Sequence, residues 1–199
     1  MDDTGKWRNL SNKNMVTNMS QGPIKVVKWF TEANLKGKVD EFVKKFEAGT
    51  LKGDEDYPLF YMAMQEAIIL AQTAEDDDKK ELYEIVSDDI EEYQSLAYFM
   101  EVRGWKEKLV MVLTPQGRKI GIWEGKYDAA PAEVDGTPVK NAVYMEMTPA
   151  TSLQLMKGNP NTDPAFFSGD LTVKGALKLA TKPREWIYAF MEFIGKSTD

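Results

Sequence analysis

Apolar side chains at Val39, Phe42, Val43 and Phe46 follow the i, i+3, i+4, i+7 spacing of a helix face, and Gly49 stands where such a helix would stop. The pattern predicts a helix over residues 38–48. A second helix is expected over 58–74, opened by Pro58 and striped by Ala63, Met64, Ala67, Ile68 and Ala71. A third is expected from Asp78, three residues ahead of Glu81 in the manner of a capping box. Its apolar face is Leu82, Ile85, Val86, Ile90 and Tyr93. The period then changes from helical to two. Strands are expected over 96–102, 108–113, 118–123, 141–147 and 168–174, with turns at Gly104 and at Pro115-Gln116-Gly117. Residues 128–140 and 158–164 read as loops. A short helix over 149–156 follows Thr148 as N-cap, and a helix broken near Pro183 closes the chain over 175–194.

Helices, then a strand meander, then helix, strand and helix predict an α+β fold, not the strict alternation of a dinucleotide-binding sheet. Three parts are expected: a polar flexible tail over 1–22, an N-terminal helical extension over 23–57, and a main domain over 58–195. The 38–48 helix is expected to pack on the chain itself. If it is spare, it marks a homo-oligomer or an enzyme-partner interface.

Alternation sorts the strand residues onto two faces. One face collects Tyr98, Met100, Val102, Leu109, Met111, Leu113, Ile120, Ile122, Val143, Met145, Met147, Leu171 and Val173. The other collects Glu101, Lys108, Glu146, Thr172 and Lys174, with Phe99 and Trp123 as apolar exceptions. Methionine recurs on the apolar face, and its unbranched thioether adapts to irregular spaces. Leu177, Trp186, Ile187 and Phe190 add a large apolar surface that needs something to pack on. On pattern alone this set is plain core or a cavity lining, since the two share a composition.

Composition narrows the chemistry. The 199 residues contain neither cysteine nor histidine. That removes thiolate nucleophiles, disulfides, thiolate metal sites and the usual imidazole base, while leaving carboxylate and lysine chemistry open. No close set of carboxylates or lysines falls on the apolar face, so no catalytic residues and no cofactor are expected. Glu75-Asp76-Asp77-Asp78 sits at a helix start, where acidic residues favour the dipole, and lacks calcium-loop spacing; no metal site is expected. Asp88, Asp89, Glu91 and Glu92 read as an exposed helix flank. A net charge of −7 gives nucleic acid no electrostatic footing. No apolar run approaches a membrane span, no signal-like apolar stretch opens the chain, and its last residues are no peroxisomal address, so a cytoplasmic protein is expected.

One stretch is more specific. Residues 141–179 read NAVYMEMTPATSLQLMKGNPNTDPAFFSGDLTVKGALKL. An alternating strand, a short helix ending near glycine, a loop, and then Phe167, Gly169, Leu171, Val173 and Gly175 in fixed spacing resemble the sterol-carrier-protein type-2 family. In outline the likeness extends over roughly 58–193. It implies a curved, mainly antiparallel five-stranded sheet covered by helices, with an apolar tunnel between them. Relatives hold fatty acyl chains, acyl-coenzyme A, sterols or phospholipids, so the resemblance implies non-enzymatic binding or transfer of a lipid-like small molecule. The candidate lining is then Met100, Met111, Ile122, Met145, Met147, Met156, Leu171, Val173, Leu177, Trp186, Ile187 and Phe190, with Phe166 and Phe167 at the rim. Lys157, Lys174 and Lys178 are candidate headgroup contacts. Burying ten methylenes would supply roughly 8 kcal/mol before the cost of lost ligand freedom. An accessory subunit with the same fold and a filled core stays open as the alternative.

Overall fold

The computed structural model describes residues 24–197; the tail expected over 1–22 lies outside them. The elements in chain order are β1 (Ile24–Trp29), α1 (Glu32–Leu35), α2 (Lys38–Ala48), α3 (Tyr57–Gln72), α4 (Asp77–Tyr93), β2 (Leu96–Val102), β3 (Lys108–Thr114), β4 (Gly117–Gly125), β5 (Glu133–Val134), β6 (Thr137–Pro138), β7 (Asn141–Met147), α5 (Pro149–Met156), α6 (Asp163–Ser168), β8 (Leu171–Gly175), a 3-10 turn (Leu177–Thr181) and α7 (Pro183–Phe193).

The expected α+β class holds, with two corrections to the sheet. It has six strands rather than five, in the order β1-β4-β3-β2-β7-β8. It is mixed, because β2 and β7 run parallel at its centre while the other pairs are antiparallel. The added strand is β1, at the start of the segment expected to be helical. β1 pairs with β4 through a register shift between Val26 and Lys28. Gly121 permits that approach: a Cβ there would stand 2.3 Å from the Lys28 carbonyl oxygen.

The helices cover one face. α3 is buried nearly all round, from Leu59 to Ile68, as expected of a central helix. α2 packs on it as the sequence predicts. Phe42 meets Phe60 at 5.5 Å and Phe190 at 5.6 Å between ring centroids, so its apolar stripe is occupied within the chain. Each such fully buried ring is worth about 1.5–3 kcal/mol. The apolar set read from alternation all faces this layer, with Ile122 and Val173 only partly buried.

The opposite sheet face is not polar as expected. Phe99, Trp123 and Tyr144 join Val110 and Val112 in a second apolar cluster, covered by Tyr127, Val134 and Val139. Val134 and Val139 come from the connection expected to be a simple loop, which holds the β5–β6 hairpin, and Tyr127 stands just before it. The α4 cap is Asp76 rather than Asp78, its side chain accepting from the Asp78 amide. Asp89 is buried rather than exposed, and it accepts from Trp186 Nε1 at 2.7 Å. Residues 163–168, expected as loop leading into strand, form α6, and β8 begins at Leu171.

Candidate ligand-binding site

The family-like stretch folds around the far end of the sheet. Thr148 caps α5 by accepting from the Thr151 amide at 3.2 Å, which sends the chain away from β7. α6 ends at Gly169, whose φ of 85° reverses the chain into β8. Gly175 ends β8 at φ 91°, and a Cβ there would meet the Ala142 carbonyl oxygen at 2.6 Å. The two glycines therefore place β8 against β7 and hand the chain to the 3-10 turn.

Between this strand pair and the helices lies a gap of about 30 Å³. Met145, Met147, Leu171 and Ile187 from the candidate lining meet there. Tyr61 on α3, Leu155 on α5, Pro160 and Thr162 ahead of α6, Ala180 in the 3-10 turn, and Pro183 and Arg184 at the start of α7 complete the wall. These residues escaped the sequence reading because helix-face periodicity marks burial but not which neighbour a face meets. The gap is about one water molecule in volume. Tyr61 and Arg184 are the ionisable residues of its wall. Burial pushes the Tyr61 phenol above its ordinary range, so it stays neutral. Arg184 pairs with Asp163 at 3.0 Å, joining α7 to α6.

Ile122 and Val173 are partly buried on the sheet outside the gap, and the other candidates separate into two groups. Met100, Met111, Met156, Trp186 and Phe190 are buried in the core beyond the gap. Tyr98 anchors that core: its hydroxyl donates to the Leu179 carbonyl at 3.0 Å, and its ring stands 5.3 Å from Trp186. Burial and then nearby Asp89 push the Tyr98 phenol above its ordinary range. Phe166, Phe167 and Leu177 lie on the outside, at 43%, 83% and 58% exposure. The two phenylalanine rings touch edge to face at 5.7 Å on the short helix beside the mouth. Of the lysines considered for a headgroup, Lys174 lies over the Tyr144 ring and Lys178 over Tyr93, neither in the wall of the gap.

Methionine and branched side chains line the gap, with Arg184 as the cation of its wall. Among the described residues no acidic cluster is disposed to bind a metal, and no helix is long and apolar enough to cross a membrane.

Among curated proteins none matches the chain. Solved structures similar to it include the apo form of Sterol Carrier Protein 2 from Yarrowia lipolytica, at 14% identity and TM-score 0.39, covering 64% of this chain and 89% of that one. A UbiJ-SCP2 ubiquinone synthesis protein is similar at 13% identity and TM-score 0.36, covering 64% and 94%. The sterol carrier protein domain 2 of Helicoverpa armigera is similar at 22% identity and TM-score 0.32, covering 56% and 83%. Residues 87–186 match the SCP-2 sterol transfer family, from the second half of α4 through β2–β8 into the first turn of α7. The sheet from β2 to β8 and the wall of the gap, apart from Tyr61 and Ile187, fall within that match, and the chain belongs to the SCP-2 sterol transfer family.

Proposed function

We propose that the protein binds an apolar, lipid-like ligand without turning it over, and that the ligand enters between β7, β8 and α7 where Met145, Met147, Leu171 and Ile187 meet. The observation carrying this reading is the family match over most of the residues that build the gap, together with its mainly apolar wall. Phe166, Phe167 and Leu177 leave an apolar rim in water beside a gap too small for a ligand. Such a rim is costly to maintain on a surface with no partner. Arg184 of the wall is held to Asp163 by an exposed ion pair, a contact worth little, so displacing it costs little. Methionine side chains repack readily around an entering chain. Fatty acyl chains and their esters suit this lining better than a polar cargo does.

A filled core serving as an accessory subunit is the second reading, and the small size of the gap favours it. The two separate in a titration of the protein with a fluorescent long-chain fatty acid. Saturable binding in the micromolar range is expected, weakened about tenfold by Ala180→Leu, which fills the gap from a partly exposed wall. Absence of saturable binding by the wild-type protein would leave the accessory reading in its place.

A further inference from the structure

The three described arginines differ in their company. Arg103 pairs with Glu146 and Arg184 with Asp163. Arg118, on the first turn of β4, has no described carboxylate within ion-pairing distance. Its Nη2 donates to Ser87 Oγ at 3.1 Å and its guanidinium lies 4.9 Å from the centre of the Tyr83 ring. Its Nε is buried and has no acceptor. Burial lowers its pKa from the ordinary value, with Tyr83 acting in the opposite sense. An arginine stays charged regardless, so a partly desolvated cation is held here with no counter-ion among the described residues.

Arg118 stands between two concavities. One is a groove of about 460 Å³ with Phe30, Leu35, Ile69 and Ile120 among its walls. The other, about 320 Å³, lies against α4 and shares Arg118, Tyr83, Thr114 and Pro115 with the first. Arg118 is the cation in both linings; Glu32 lines the groove and Glu91 its neighbour, and neither pairs with it. Gln65 also lines the groove. It is only 4% exposed, and its amide donates to the Met111 thioether at 3.4 Å, a weak acceptor. Two under-satisfied polar side chains thus converge on a space of ligand size whose walls are polar on one part and apolar along Phe30, Leu35, Ile69 and Ile120.

We propose that this groove is a second binding site, for an amphipathic anion whose carboxylate or phosphate sits on Arg118 beside Ser87 and whose short apolar chain lies along Phe30, Leu35, Ile69 and Ile120. The anionic group supplies the counter-charge that the described residues do not, and a guanidinium holds such a group through a charge-assisted fork. The Gln65 amide gains a stronger acceptor than sulfur where a polar atom of the ligand reaches it. The site is separate from the gap: it lies at the β3–β4 turn, whereas the gap lies under β7, β8 and α7, and it stands whether or not that gap opens.

Calorimetric titration of the full chain with octanoate, octyl phosphate and octanol tests this. At least one of the two anions is expected to bind, and the stronger one assigns the head group. Arg118→Gln is expected to weaken that anion about tenfold and to leave octanol unchanged, while Arg118→Lys, which keeps the charge without the fork, falls between. Ile69→Trp, a change at a partly exposed wall, blocks the groove without touching the arginine, and Ala180→Leu leaves the anion's affinity unchanged. Failure of both anions to bind, or equal binding by Arg118→Gln and Ile69→Trp proteins with wild-type melting temperatures, would overturn the site. Loss of anion binding in Ala180→Leu but not in Ile69→Trp would place the ligand in the gap and overturn it as well.

Discussion

The interface between helices and sheet is built differently at its two ends. At the β7–β8 end the side chains close to a gap of about 30 Å³, and Asp89, Trp186 and Tyr98 behind it are paired. Trp186 Nε1 donates to Asp89 at 2.7 Å, Lys182 approaches the same carboxylate at 3.4 Å, and Tyr98 donates to the Leu179 carbonyl. At the β3–β4 end a groove of about 460 Å³ stays open, and Arg118 Nε and the Gln65 amide lack good partners. Where polar groups are matched inside the chain, apolar side chains can close around them. Where they are not, space and unmet hydrogen bonds persist together, and that combination marks a place for something from outside. The closed end depends on adaptable packing for any ligand it takes, while the open end needs only a partner of the right charge.

The sharpest way to break the contrast is to remove the anchor of the closed end. Trp186→Ala takes away a fully buried ring and its bond to Asp89, and is expected to cost about 3–5 kcal/mol in urea unfolding. A loss under about 1 kcal/mol would mean that this end is not the well-packed one. Met147→Ala widens the gap directly. It should cost about 2–4 kcal/mol in the free protein, and a saturating fatty acid should restore part of the melting temperature by filling the space. No recovery would indicate a filled core rather than a poised cavity. Asp89→Ala leaves the Trp186 donor and the Lys182 cation unpaired, for an expected cost of about 2 kcal/mol by the same measurement.

The smallest effect is on pH. The Arg103 guanidinium beside Glu146 holds that carboxyl below its ordinary 4.5. Arg103 also donates to the Gly169 carbonyl at 2.8 Å and to Thr172 at 3.3 Å, so the pair ties β2 and β7 to the α6–β8 corner. Because the folded value is lowered, the stabilisation is complete above 4.5 and is lost as pH falls from there through the folded value. Amide exchange is therefore expected to quicken at Gly169 to Val173 in that window, before the Arg118 end changes. Arg103→Met should remove this local pH response, and persistence of the response in that variant would assign it to another group.

The sequence made the closed end partly legible. Alternation along β2, β3, β4 and β7 placed Met145 and Met147 on the helix-covered face, and the two-glycine motif located Leu171 and Val173. β1 was not legible as a strand because its register shift between Val26 and Lys28 interrupts the period of two. The cover on the opposite face was missed because Tyr127, Val134 and Val139 are spaced irregularly along a connection rich in turn residues. α6 is six residues long, too short for helical periodicity to register. The open end could not be read at all. Arg118 looks like any strand-end arginine in a sequence, and its significance lies in the absence of a carboxylate beside it, which only the packed chain determines.

The central claim is that the closed end opens to hold a lipid-like ligand. Native mass spectrometry of the purified full chain, followed by organic extraction, tests it most directly. Additional mass matching an acyl chain or lipid, reduced in Ala180→Leu and undiminished in Arg118→Gln, is the expected result. A bare mass for the wild-type protein that stays bare after incubation with fatty acids and acyl-coenzyme A would contradict it.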